Sequence, residues 1–88
     1  MMAEESALQF PCEFPIKMMG RDTPEFRLLA RRLVETHADA VNDDAVQAAV
    51  SRNGSFVSVT VTITATSQEQ LDNIYRDATA HDDVLMAL

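Results

Sequence analysis

The chain has 88 residues, 47% hydrophobic and 24% charged, the composition of one small folded domain with no room for a second core. Fourteen acidic residues against seven basic ones give a formal charge of −7, which speaks against nucleic acid or an anionic membrane surface as partner, since both call for clustered Lys and Arg. Cys12 stands alone and can form no internal disulfide, the opening MMAEESALQF is too acidic for a secretory signal, and no run approaches membrane-spanning length; a cytoplasmic protein is expected. Residues 1–9 read as a flexible acidic arm and residues 10–88 as the domain.

Phe14, Ile16 and Met18 alternate with Glu13, Pro15, Lys17 and Met19, the period of a strand that exits at Gly20. Pro11 and Pro15 cannot donate to a ladder, so the first part of this strand is expected to be irregular or paired on one side only. Residues 21–38 carry helix-start chemistry: Thr23 or Asp22 as N-cap, Pro24 in the first turn, and Glu25 near the positive end of the dipole. Phe26, Leu29, Ala30, Leu33, Val34 and His37 make its apolar stripe, and Leu28 sits on the polar side.

Residues 39–44 read as a polar connection, followed by a strand in which Val46, Ala48 and Val50 form the apolar set. Asn53-Gly54 signals a hairpin with a two-residue type I′ turn. Folding about it sets Val50 opposite Val57, Ala48 opposite Val59 and Val46 opposite Val61, with every apolar pair on one face. Val57, Val59, Val61, Ile63 and Ala65 alternate with Ser58, Thr60, Thr62, Thr64 and Thr66, an apolar face backed by a hydroxyl face. Ser67 and Gln70 stand in capping-box spacing before a helix with Leu71, Ile74, Tyr75 and Ala78 on one stripe. Val84, Met86 and Leu88 alternate as a final strand.

Strand, helix, strand, strand, helix, strand with right-handed crossovers predicts an α+β, ferredoxin-like βαββαβ sandwich: a four-stranded antiparallel sheet in the order 4-1-3-2 with two helices on one face. Such a fold leaves function to its sites. RNA recognition needs stacking aromatics on the central strands, and RNGSFVSV offers only Phe56. A metal chaperone of this fold needs a cysteine pair, and MGRDTP is too poor in glycine for an acylphosphatase-like phosphate cradle.

FPCEFPIKMMG, PEF, the NG-centred hairpin running into VSVTVTITATSQEQLDNIY, and the terminal DDVLMAL together resemble the YbeD family of small bacterial proteins over residues 10–88. The resemblance implies a fold similar to the regulatory ACT domains, which bind amino acids or similar ligands at dimer interfaces, and it implies no assigned activity. By position, the ACT-type ligand loop falls on Gly20, Arg21, Asp22 and Thr23.

At that loop Arg21 and Asp22 could clamp a small ligand's carboxylate and ammonium, or Asp22 and Thr23 could simply cap the helix. His37 and His81 read as end-of-helix residues, and Asp43-Asp44 and Asp82-Asp83 as turn and solvating residues without calcium-loop spacing. No catalytic grouping, metal site or cofactor is expected. The leading expectation is a non-enzymatic regulatory or small-ligand-binding module, as a homodimer. The alternative is an adaptor docking a larger enzyme through an edge strand, the open sheet face at Lys17, Thr60 and Thr62, or Leu28.

Overall fold

The computed structural model describes residues 8–88, so most of the arm expected over residues 1–9 lies outside the described residues. Its elements are β1 (Cys12–Arg21), α1 (Pro24–Glu35), a single 3-10 turn (Asp43–Ala45), β2 (Val46–Val50), β3 (Phe56–Ala65), α2 (Gln68–Ala80) and β4 (Met86–Ala87). The sheet is antiparallel in the order β2-β3-β1-β4, the ferredoxin-like arrangement that the sequence predicts.

β1 and β3 pair along their full length, from Cys12 opposite Ala65 to Arg21 opposite Phe56. On its other side β1 meets β4 only at Met18 and Met19, with Lys17 and Leu88 exchanging backbone bonds of 3.1 and 2.8 Å. Ladder parity turns the odd-numbered backbone groups of β1 toward β4. Pro15 therefore faces an edge that has no partner strand, and its missing N–H costs the ladder nothing. The Phe10–Pro11 bond is cis.

The core lies between the sheet and the helices, where Ile16, Met18, Val59, Val61, Ala30, Val34, Ile74 and Ala78 are fully buried. Thr23 caps α1, its hydroxyl accepting from Phe26 N at 3.0 Å, and Ser67 caps α2 in the same way through Gln70 N. The Gln70 side chain accepts from Thr66 N rather than from Ser67 N, so the capping box is shifted by one residue. Its amide also donates to the His37 carbonyl at 2.9 Å, tying the start of α2 to the end of α1.

Three local expectations are corrected. The hairpin register is the expected one, but its turn is not type I′, because Gly54 alone has positive φ, at 79°. Gly54 N donates to the Ser51 carbonyl, and Asn53 Oδ1 accepts from Ser51 Oγ and Ser55 N, so side-chain bonds shape a longer loop. Val41, assigned to a polar connection, is instead buried in the core. The β4 alternation also fails: Met86 pairs with Met19 and Leu88 with Lys17, so both take the parity of the open face while Ala87 turns inward.

Candidate functional site

The odd residues of β1 and the even residues of β3 face away from the helices. At the centre of this open face Lys17 pairs with Thr60, with Gln47 on the far side, and Pro15 pairs with Thr62. Thr60 and Thr62 are half-buried by their neighbours. Toward β4 the surface becomes apolar, with Met19 half-buried and Met86 and Leu88 50% and 60% exposed. Arg21 lies over the Phe56 ring at 5.6 Å from its centroid, a cation–π contact that sequence spacing does not show.

The basic residues fall into two groups. Asp22 pairs with Arg27 at 2.9 Å, and Arg31 bridges Glu35 and Asp43 at 3.2 and 2.6 Å. Lys17, Arg21, Arg32, Arg52 and Arg76 have no carboxylate partner among the described residues, and of these Lys17 and Arg21 stand on the open face. Glu13 is the one acidic side chain that the strands place on this face. A chain of strong negative charge thus presents a neutral-to-basic surface here. Leu28 is not part of it: two positions after buried Phe26, it points away from the sheet and is 56% exposed.

The loop expected to hold a ligand is largely committed to structure. A Cβ on Gly20 would lie 2.5 Å from the Phe26 ring and 2.7 Å from the Asp83 carbonyl, so this glycine permits close packing. Asp22 holds Arg27, and Thr23 caps the helix. Arg21 and Thr23 do border a recess of about 210 Å3, whose other walls are Phe26, Asp82, Asp83 and Leu85. The carboxylates of that recess were legible only as turn residues, since the chain brings them to Arg21 from the far end of the sequence.

A wider hollow of about 710 Å3 opens at the other end of the sandwich, between Thr62, Thr64 and the segment after α1. Among its walls Gln70 bonds Thr66 and the His37 carbonyl, and Val41 is held through its backbone by Glu35 and Arg31, which lie outside the walls. Glu35 accepts from Val41 N at 2.9 Å and from Arg31, and these bonds hold its carboxyl below the usual range. The two acids raise the Arg31 pKa, Asp43 more than Glu35, and its guanidinium also donates to the Val41 carbonyl. His37 Nε2 meets Asp77 Oδ2 at 2.6 Å, joining α1 to α2. Tyr75, whose pKa burial raises, donates to the Leu88 carbonyl at 2.7 Å and meets Phe14 edge-on. His81 Nδ1 accepts from Asp83 N, within the turn before β4.

Among the described residues no three His, Cys, Asp or Glu side chains gather as metal ligands, and no helix is long and apolar enough to cross a membrane.

A helix-backed sheet with one uncovered face defines a small ferredoxin-like α+β domain. The chain belongs to the YbeD or UPF0250 group of bacterial proteins, whose family model, "Protein of unknown function (DUF493)", matches residues 5–88. The UPF0250 protein NE1487 of Nitrosomonas europaea is 41% identical over 99% of this chain and 100% of its own length. A UPF0250 protein of Paraburkholderia phytofirmans is 43% identical over 96% of this chain and 94% of its own. In three dimensions the chain is similar to protein HP0495 from H. pylori, with a TM-score of 0.71 and 17% identity over 100% of this chain and 96% of that one, a likeness of fold.

Proposed function

We propose that this protein is a non-enzymatic regulatory module that docks onto a larger protein through the open face of its sheet. The observation behind this reading is the join of exposed Met86 and Leu88 to Lys17 and Arg21, two cations without carboxylate partners, on a face no helix covers. Flexible thioethers adapt to varied apolar surfaces, and the cations favour an acidic rim on the partner. A photo-crosslinker at Thr60, with one at Leu28 as control, tests it in the native cell. The expected result is an adduct of defined mass from Thr60 alone, lost when Lys17→Glu and Met86→Asp are combined. Equal labelling from both positions, or an adduct that survives the double substitution, overturns the reading.

A second reading, a small-ligand regulator, draws on the recess beside Arg21. Asp82 and Asp83 across from Arg21 match the two charges of an amino acid zwitterion. It requires amino acids to raise thermal stability, with that shift lost in Arg21→Ala.

A further inference from the structure

The sheet has two edges, and the chain treats them differently. Along the outer side of β1, beyond the short β4, Pro11 and Pro15 remove donors from the edge. That is a common defence against pairing with another strand. β2 carries no such defence. Its sequence VQAAV has no charge and no proline. Ser51 N donates to the Phe56 carbonyl at 2.8 Å, which fixes the parity of the hairpin: Gln47 and Ala49 bond toward β3, and the backbone groups of Val46, Ala48 and Val50 point outward. Val46 N–H is used locally by the Asp43 carbonyl. The Val46 carbonyl and both backbone groups of Ala48 and Val50 have no backbone partner among the described residues. Val50 beside them is 51% exposed.

We propose that a second copy of this chain pairs with this edge, antiparallel and centred on Ala48, so that two four-stranded sheets become one. Pairing the strand with its own copy about Ala48 sets Val opposite Val and opposes no like charges, which argues for a second copy over an unrelated strand. Val46 meets Val50 of the partner subunit on the helix side, and Gln47 meets the partner subunit's Ala49 on the open side. Asp44 lies in the 3-10 turn at the start of β2 and Arg52 just past its end. Antiparallel pairing therefore brings Asp44 to the end of the strand where Arg52 of the partner subunit lies, and the two-fold axis makes that opposite-charge approach twice. Asp44 and Arg52 are both exposed and have no ionic partner within the chain among the described residues. Ala48 N–H and C=O exchange bonds with their own equivalents, and Val50 N–H donates to the partner subunit's Val46 carbonyl. Edge-to-edge pairing leaves both open faces free, so this interface is separate from the docking face proposed above.

Sedimentation equilibrium over a wide dilution series tests the pairing, with amide exchange as a second readout. Wild type is expected to dimerise reversibly. Asp44→Arg or Arg52→Asp alone should weaken the dimer about tenfold, through two lost attractions and two new repulsions. The double swap, Asp44→Arg with Arg52→Asp, should return it to within about threefold of wild type, because the charges again oppose across the axis. On concentration the amides of Ala48 and Val50 should gain protection while those of Gln47 and Ala49 stay unchanged. A monomer at every concentration overturns the proposal. So does a dimer that the double swap fails to restore, or one in which the Ala48 and Val50 amides exchange as fast as in the monomer.

Discussion

β2 and β3 carry the same apolar alternation and pair residue for residue, yet Val50 and the valines of β3 have opposite fates. Val57, Val59 and Val61 are at most 1% exposed, whereas Val50, directly opposite Val57, is 51% exposed. Alternation decides which face a side chain takes, but a second layer decides whether that face is dry. The helices pack chiefly over β1, β3 and β4, and of β2 only Val46 packs against the core. One hairpin thus contains a core strand and an overhanging one.

Paired truncations break or sharpen this contrast. Val59→Ala should lower stability by about 2 kcal/mol, from lost burial and the cavity it leaves. Val50→Ala should cost less than about 0.5 kcal/mol in dilute solution, where the strand edge is bare. Urea midpoints measured at low and high protein concentration check both. A Val50→Ala cost equal to that of Val59→Ala at every dilution would mean that a layer covers β2 within one chain. A cost that grows with concentration would mean that a second chain does.

A smaller effect concerns how the covering layer is anchored. Thr23→Ala should cost about 1 kcal/mol, because the hydroxyl satisfies Phe26 N at the head of α1 and Phe26 closes over Gly20. Asp22→Ala should stay within about 0.5 kcal/mol, since its pair with Arg27 is a surface one. Thermal melts of the two variants rank them, and a reversed ranking would make Asp22 the residue that starts the helix.

Much of this was legible in the sequence. The strand register about Asn53-Gly54, the Thr23 and Ser67 caps and the buried stripe of α1 follow from local chemistry, and so does the βαββαβ order. Where the reading failed at β4, the deciding partner lay far along the chain. Met86 and Leu88 turn outward because Met19 and Lys17 dictate their parity. Val41 is buried because Arg31 and Glu35 bind its backbone groups and draw the connection onto the core. Lys17, Thr60 and Thr62 share a face as period two requires, and Leu28 is exposed on the polar side of α1, a separate surface from that face. The Arg21–Phe56 contact and the carboxylates of Asp82 and Asp83 near Arg21 needed the fold.

The smallest expected effect belongs to Glu35, at the joint between the covered and the bare strand. Its carboxylate holds Val41 N and Arg31, and so fixes the segment that leads from α1 into β2. These bonds, that to Val41 first, lower its pKa from the ordinary value of 4.5. A carboxyl whose folded pKa is depressed stabilises the fold above its unfolded value and loses that contribution as pH falls through the folded one. Glu35→Gln keeps an acceptor for Val41 N but removes the charge. Wild type should therefore be slightly more stable than the variant at neutral pH, and the gap should close below about pH 4.5 as the wild-type carboxyl takes up its proton. Urea midpoints of the two proteins down a pH series measure the gap. A gap that persists unchanged into acid would assign the effect to the shape of the side chain. The approach to β2 would then be held by packing around Val41, with no share for the ionic clasp.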